Sequence, residues 1–234
     1  MHTKGIGIHF GRAPVPFGLI PDCGSALAIR RIVMTSTHPR VVGIVGSYRQ
    51  HGTIDTAVST VLAAAATAGA ETATIYLKDH PIEFCTNCRA CLQQPGTQRG
   101  ECCLHDEMAD LLDQLEQADA YVIGAPVNCG NVNALTQRFV ERCVVYGYWP
   151  WHQPAPTMRN EAVTKKAVLI SASAAPGVIA RRLTSVIKTL KQLAKFLSAK
   201  PIGTLWVGLV DPQHPNLSPR CRRQAQQLGQ RLAA

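Results

Sequence analysis

The sequence predicts a doubly wound α/β fold, in which a five-stranded parallel sheet of order 2-1-3-4-5 is covered by helices on both faces. Two observations lead to this prediction. Five short apolar segments alternate along the chain with five segments of helical period. The first apolar segment, Val41–Gly46, also runs directly into a polar, glycine-containing turn and then a helix. In such a sheet the ligand crevice lies at the carboxyl ends of strands one and three.

The strands are predicted from the apolar segments. Val41, Val42, Ile44 and Val45 are mostly β-branched, as expected of a strand buried on both faces of a parallel sheet. The proposed strands are Val41–Gly46, Thr72–Leu77, Ala120–Ala125, Lys166–Ser173 and Ile202–Leu209. The proposed helices are Thr53–Ala68, His105–Gln117, Asn131–Tyr146, Ile179–Ser198 and Pro219–Leu232.

Two of these helices have a continuous apolar face. Asp106 is predicted to cap the second helix, whose face consists of Met108, Leu111, Leu112 and Leu115. The fourth helix has a longer face, made of Ile179, Leu183, Val186, Ile187, Leu190, Ala194 and Leu197. Both faces are expected to pack against the sheet.

Residues 1–40 differ from the rest of the chain. Pro and Gly interrupt this segment and no period is sustained, which predicts a poorly structured N-terminal extension before a single domain at 41–234. Met34 stands just before the first strand, and we hypothesise that it is the natural start. A peptide from before Met34, found by mass spectrometry of the protein from its own source, would contradict this.

Composition narrows the class of protein. Hydrophobic residues make up 46% of the chain and charged residues 17%, with no apolar run near the roughly 20 residues of a membrane span. The net charge is +9, but the basic residues concentrate in 181–231 and near the N-terminus, while 71–119 is acidic. Because no aromatic-interleaved basic stripe is present, we predict no nucleic-acid partner. A solvated basic face is expected, with attraction of a phosphorylated dinucleotide as the second interpretation.

Nine cysteines occur without a recognisable signal peptide. A chain of this length does not need disulfides to fold, and its thiols concentrate in one stretch. The prediction is therefore a cytoplasmic protein in a reducing compartment.

The turn after the first strand has the residues of an anion site. Ser47 and Thr53 supply hydroxyls, Arg49 a cation and Gly52 a permissive backbone, and the helix behind them directs free N–H groups at the turn. The alternative is that Ser47 or Thr53 merely caps the helix. The glycine patterns of dinucleotide and triphosphate loops are absent from this turn, which favours a single phosphomonoester.

The loop after the third strand, Pro126–Asn133, is expected to face that turn across the crevice. A proline followed by small and polar residues gives a rigid turn whose backbone N–H groups suit the hydrogen-bonding edge of a ring. An ordinary strand-to-helix loop remains the alternative.

A cluster of thiols lies between the second strand and the second helix. Cys85, Cys88 and Cys91 have C-x₂-C-x₂-C spacing, and Cys102 and Cys103 follow. Three interpretations fit: a 4Fe–4S centre, a structural zinc site, or free thiols in a protein without a metal.

Four motifs in order resemble one known family. They are G-S-Y-R-Q-H-G, C-T-N-C-R-A-C, G-E-C-C-L-H-D-E-M and A-P-V-N-C-G-N-V-N. Together they are similar to the NAD(P)H-dependent FMN reductase and iron–sulfur flavoprotein branch of the flavodoxin-like superfamily, over about Val41 to Leu209.

The resemblance implies which residues would bind FMN and which would bind an iron–sulfur cluster. The FMN phosphate would be held by Ser47, Arg49, Gly52 and Thr53. The flavin ring would be held by Pro126, Val127, Asn128, Cys129 and Gly130, with Ser173 in a third wall at 171–177. A 4Fe–4S cluster would be held by Cys85, Cys88, Cys91 and Cys102. The family usually has threonine where this chain has Ile54, so Thr53 or Thr56 would supply that hydroxyl.

The resemblance also implies an activity. The expected protein is an NAD(P)H-dependent flavin oxidoreductase that uses bound FMN to reduce a small acceptor such as a flavin or quinone. The alternative is a flavodoxin-like electron-transfer module that docks to a protein partner. The aromatic run Tyr146–Trp151 lies where this family commonly meets a partner subunit, so a homodimer or higher homo-oligomer is expected; a loop that folds back as a lid is the alternative.

Overall fold

The structure, a computed structural model, describes residues 38–211 and 213–234. Five parallel strands form its central sheet: β1 (Arg40–Val45), β2 (Glu71–Tyr76), β3 (Ala120–Pro126), β6 (Lys165–Ala172) and β7 (Ala199–Val207). Their order is β2-β1-β3-β6-β7. The short strands β4 (Gly147–Tyr148) and β5 (Thr157–Met158) form a separate antiparallel pair. Without that pair, the order is the predicted 2-1-3-4-5.

Seven α-helices occur among the described residues. They are α1 (Thr53–Thr67), α2 (Ala90–Gln93), α3 (Met108–Glu116), α4 (Ala134–Arg142), α5 (Gly177–Leu183), α6 (Val186–Phe196) and α7 (Pro219–Ala233). Short 3₁₀ helices follow β2 at Leu77–Asp79 and α4 at Cys143–Tyr146. The predicted extension at 1–40 and the proposed start at Met34 fall almost entirely outside the described residues.

The sheet separates two apolar layers. Val41 and Val45 face the layer of α1 and α7, whereas Val42 and Ile44 face the layer of α3, α4 and α6. Both pairs are fully buried, as the β-branched composition of β1 predicts for a central strand covered on both sides. None of the described helices has the length and apolar character that crossing a membrane requires.

Three details of the elements differ from prediction. The fifth predicted strand, Ile202–Leu209, begins three residues earlier at Ala199. Asp106 precedes the N-cap of α3 by one residue, although its Oδ1 still accepts a hydrogen bond of 3.0 Å from the Met108 amide. The fourth predicted helix is two helices, because Thr184 is extended between α5 and α6. Its predicted apolar face is therefore wrong at one end, where Ile179 and Leu183 are exposed.

Candidate functional site

The carboxyl ends of β1 and β3 lie side by side. Val45 pairs with Gly124, and the Gly46 amide donates a 2.8 Å hydrogen bond to the Gly124 carbonyl. A Cβ atom on Gly46 would lie 2.1 Å from Thr136 Oγ1, so only glycine allows this approach. The turns that follow the two strands therefore form the two sides of one cleft.

This β1–β3 cleft has a volume of about 440 Å³. Eight of the ten residues predicted to bind a cofactor line it: Ser47, Arg49, Gly52, Thr53, Pro126, Val127, Asn128 and Ser173. The other two, Cys129 and Gly130, do not. Tyr48, Ile54, Asn133 and Val210 are among the further lining residues.

The turn after β1 presents the start of α1 to the cleft. Gly52 is the N-cap of α1, and no side chain caps the helix. The first N–H groups of a helix have no partner within it, and they carry the positive end of the helix dipole. Arg49 donates its amide to Ser47 Oγ at 3.2 Å, which orders the turn. The arrangement is suited to binding an anion at the amides of Thr53 and Ile54.

A buried carboxylate stands behind this turn. Asp55 accepts hydrogen bonds from the His51 amide at 2.7 Å and from the Tyr76 hydroxyl at 3.0 Å. Burial and this hydrogen bond raise the pKa of Tyr76. Because Asp55 is held by these partners, it ties the turn to the end of β2.

Ile54, which stands where the family usually has threonine, is a core residue. Its side chain is 3% exposed and lies in the apolar layer beside α1. Thr53 lines the cleft, whereas Thr56 lines a separate surface groove with Ser59. Of the two threonines considered as replacements, Thr53 alone is placed to supply a hydroxyl in the cleft.

The loop after β3 contains a tight two-residue turn. Asn128 and Asn131 exchange backbone hydrogen bonds of 2.7 and 3.0 Å. Cys129 and Gly130 between them both have positive φ, at 47° and 78°, as in the turns that join antiparallel strands. They form the tip of the turn, which explains why they do not line the cleft.

Asn133 was missed by the sequence reasoning. Its side chain is 3% exposed, accepts from the Thr136 amide at 3.0 Å and donates from Nδ2 to the Gly46 carbonyl at 2.8 Å. It therefore caps α4 and fastens that helix to the end of β1. The signal was present, since an asparagine before a helical segment is a preferred N-cap, but the helix was predicted to begin at Asn131, three residues before its observed start at Ala134.

Ser173, in the segment that follows β6, forms part of the third wall of the β1–β3 cleft. Its hydroxyl donates to the Ala175 carbonyl and accepts from Trp206 Nε1, both at 2.9 Å. The hydroxyl hydrogen is therefore engaged within the protein, and Ser173 serves chiefly to hold the wall in place.

The four predicted metal ligands line a second cavity. Cys85, Cys88, Cys91 and Cys102 surround a volume of about 490 Å³. Burial and the neighbouring thiols raise the pKa of Cys91 to about 11, while the Ala90 amide and Cys103 lower that of Cys88. Thiolates at this spacing are the usual ligands of iron–sulfur and zinc centres. Within the described residues, no three acidic, His or Cys side chains are gathered closely enough to hold a bare metal ion.

A buried ion pair stands beside this cysteine cavity. Arg142 Nη2 lies 3.0 Å from Asp106 Oδ1 and 3.6 Å from Cys102 Sγ, and Nη1 donates to the Glu83 carbonyl at 2.9 Å. The side chains of Arg142 and Asp106 are 1% and 7% exposed. The pair connects the segment before Cys85, the segment after Cys102 and helix α4.

The aromatic run folds back onto the cysteine segment. The guanidinium of Arg89 lies 3.9 Å from the centre of the Trp149 ring and 4.3 Å from that of Trp151. It also donates to the Trp149 carbonyl at 2.8 Å. Cation–π contacts of this kind stabilise the loop that carries the cysteines. Within this subunit the aromatic run therefore packs on the cysteine segment, while Trp151 stays largely exposed.

The fold defines a flavodoxin-like α/β protein, and its candidate ligand site is the cleft at the carboxyl ends of β1 and β3. The chain matches the family described as NADPH-dependent FMN reductase over residues 39–211. It therefore belongs to that family.

The chain is also similar to curated iron–sulfur flavoproteins. An iron–sulfur flavoprotein of Archaeoglobus fulgidus is 32% identical over 111 residues, which cover 47% of this chain and 48% of the relative. One from Methanocaldococcus jannaschii is 32% identical over 103 residues, covering 44% and 51%. The chain thus spans about half the length of the curated relatives it matches.

Solved structures share the fold. An FMN-dependent NADH-azoreductase of Bacillus anthracis in complex with FMN superposes with a TM-score of 0.61 at 13% identity, covering 84% of this chain and 100% of the other. An NAD(P)H:quinone oxidoreductase of Methanothermobacter marburgensis superposes with a TM-score of 0.57 at 13% identity, covering 84% and 97%. At this identity the likeness concerns the fold.

Proposed function

We propose that the protein is an NAD(P)H-dependent flavin oxidoreductase that binds FMN in the β1–β3 cleft and reduces a small acceptor. The observation that carries this proposal is the convergence of the turn after β1 and the loop after β3 on one cleft, in a chain that belongs to the FMN reductase family. The donor set fits FMN because the uncapped start of α1 and Arg49 suit its phosphate.

Each side of the cleft has a separate task. Ser47, Arg49 and Thr53 bind the phosphate together with the first amides of α1. The backbone at Pro126–Asn128 binds the polar edge of the ring and orients it. Bound FMN supplies the redox chemistry, accepting a hydride equivalent from NAD(P)H and passing electrons on. The chain therefore needs to align two ring systems rather than provide an acid–base pair.

The proposal is tested with the purified protein and added FMN. We expect a flavin spectrum and steady oxidation of NADPH or NADH with ferricyanide or a quinone as acceptor. Absence of turnover with both nucleotides, in protein that retains FMN, would reject the reductase.

The second candidate is an electron-transfer protein that docks to a redox partner. The names of the curated relatives, iron–sulfur flavoproteins, favour it, and the acidic region at 71–119 offers a docking face. Steady NAD(P)H turnover would exclude this as the sole role. Fast reduction by a protein donor without nucleotide turnover would favour it.

A 4Fe–4S cluster held by Cys85, Cys88, Cys91 and Cys102 is the finer part of the proposal. It is supported by the shared cavity of the four thiols and by the C-x₂-C-x₂-C spacing of three of them, which iron–sulfur clusters commonly use. Iron and acid-labile sulfide in anaerobically purified protein are the expected result. Zinc instead, or no metal, would reject the cluster.

We also propose that the protein is a homodimer and that it is located in the cytoplasm. The eight described cysteines are all free, which agrees with a reducing compartment. Trp151 remains 62% exposed although it stacks on Arg89, and it offers an apolar contact for a second subunit. Sedimentation that shows only monomer at micromolar concentration would contradict the dimer.

A further inference from the structure

A further pocket lies beside the carboxyl end of β7, between α5 and α7. Its volume is about 580 Å³, and Arg181, Arg182 and Arg220 line it. No Asp or Glu is among its described lining residues, and within the described part of the chain none of these three guanidinium groups forms an ion pair. Three unpaired cations around one pocket create a site of positive potential for an anion.

This arginine pocket shares a wall with the β1–β3 cleft. Ser173 and Val210 line the cleft, whereas Gly177 and Leu209 line the pocket. The wall between them is backbone, closed by hydrogen bonds from the Leu209 amide to the Ala175 carbonyl at 3.3 Å and from the Val210 amide to the Ser173 carbonyl at 3.2 Å. The arginine pocket and the β1–β3 cleft are therefore neighbouring sites.

Two glycines that line the arginine pocket, Gly177 and Gly208, lie against each other. A Cβ atom on Gly208 would lie 2.4 Å from the Gly177 nitrogen, so the two glycines are in direct backbone contact.

The chemistry of the pocket matches a phosphorylated nucleoside. Guanidinium groups bind phosphate oxygens through paired, charge-assisted hydrogen bonds. Beside them stand Trp206 and the exposed apolar side chains of Val178 and Leu209, each of the latter 71% exposed. An apolar surface next to a cationic one suits a base attached to a phosphorylated sugar.

We infer that the arginine pocket binds the phosphorylated adenosine end of NADPH and makes the protein prefer NADPH to NADH. This inference rests on the proposed reductase function. NADH lacks the 2′-phosphate of NADPH, so it cannot form the contacts that the three arginines offer to this phosphate. Its nicotinamide end can still bind in the β1–β3 cleft.

The test compares two triple variants of equal charge change. Arg181→Ala/Arg182→Ala/Arg220→Ala removes the pocket cations. Lys188→Ala/Lys191→Ala/Arg223→Ala removes three exposed cations that do not line the pocket. Calorimetry with adenosine 2′,5′-bisphosphate is expected to show binding to the wild type and the control, and at least about tenfold weaker binding to the first variant.

Kinetics supply the second readout. The first variant should raise KM for NADPH about tenfold or more and KM for NADH less than threefold, with FMN content unchanged as proof of folding. An unchanged ratio of the two KM values, or equal binding of the bisphosphate by both variants, would overturn the inference and leave the reductase standing. If neither nucleotide is oxidised by the wild type, the proposed function fails and calorimetry alone decides whether the pocket binds the phosphorylated adenosine.

Discussion

At the residue scale, the charge of the β1–β3 cleft comes from Arg49. Among the described residues that line the cleft it alone carries a formal charge, and the other polar groups there are hydroxyls, amides and backbone. The phosphate of FMN would therefore meet one guanidinium and the positive end of α1. Affinity should depend strongly on the side chain and less on any single hydroxyl.

Arg49→Ala is expected to weaken FMN binding roughly ten- to hundredfold, since a hydrogen bond to a charged group contributes roughly 1.5–3 kcal/mol. Quenching of FMN fluorescence on titration with the protein measures the change. Arg223→Ala, which removes an exposed cation outside the cleft, should leave the affinity unchanged. Equal affinities for Arg49→Ala and wild type would show that Arg49 does not contact the phosphate.

Adjacent cysteines differ in environment, which allows the fourth cluster ligand to be identified. Cys102 lines the cysteine cavity and contacts Arg142, whereas Cys103 is exposed and lies 3.4 Å from Cys88 Sγ to Sγ. We expect Cys102→Ser to lose most bound iron and Cys103→Ser to retain it, as measured by iron and sulfide content after anaerobic purification. The reverse result would make Cys103 the ligand.

At the element scale, the strands and long helices followed from periodicity, and the departures occur where distant residues intervene. Residues 179–197 keep one helical period, yet the chain is extended at Thr184. The amide of the next residue, Ser185, donates at 2.8 Å to the carbonyl of Gly130, which belongs to the loop after β3. Periodicity contains no information about that bond, so the break between α5 and α6 was not predicted.

The start of α4 supplies an element-scale prediction. Asn133→Ala removes both the helix cap and the hydrogen bond to Gly46, and it should lower the free energy of unfolding by about 2 kcal/mol. Asn133→Ser keeps a capping oxygen but is too short to bond Gly46, so it should recover part of this loss. Urea denaturation of both variants measures the difference. Equal stability of the alanine variant and the wild type would rule out a capping role.

At the scale of the whole molecule, one ion pair joins parts of the chain that are far apart in sequence. Asp106, Arg142 and the Glu83 carbonyl connect both sides of the cysteine segment to α4. Although burial opposes ionisation, the hydrogen bonds and charge of Arg142, together with the Glu83 and Met108 amides, outweigh it and lower the pKa of Asp106 from its ordinary value. The unfolded chain therefore takes up a proton at this carboxylate at a higher pH than the folded chain does.

Asp106→Asn leaves Arg142 buried without a counter-charge and should cost about 3 kcal/mol of folding free energy at neutral pH. Ionised Asp106 stabilises the wild type fully above the pKa that this carboxyl has in the unfolded chain. This stabilisation is lost as the pH falls through the lower pKa of the folded protein. The difference in unfolding free energy between Asp106→Asn and the wild type should therefore narrow below about pH 4. Urea denaturation across a pH series measures it.

The control for this prediction is Asp113→Asn, which breaks an ion pair with Arg99 in which the aspartate side chain is 54% exposed. An exposed pair contributes less than about 1 kcal/mol, so the effect should be small. Equal losses for Asp106→Asn and Asp113→Asn would contradict the special role of the buried pair.

The sequence by itself determined the alternation of strands and helices, the order of the sheet and the positions of the turn after β1, the loop after β3 and the cysteines. These features depend on local period and on the rules for joining parallel strands. Only the tertiary structure decided that Asn133 fastens α4 to β1, that Trp149 and Trp151 stack on Arg89, and that three arginines surround one pocket beside the cleft. The physical reason is that these contacts join residues far apart in the chain, and they form only once the sheet has brought its strand ends together.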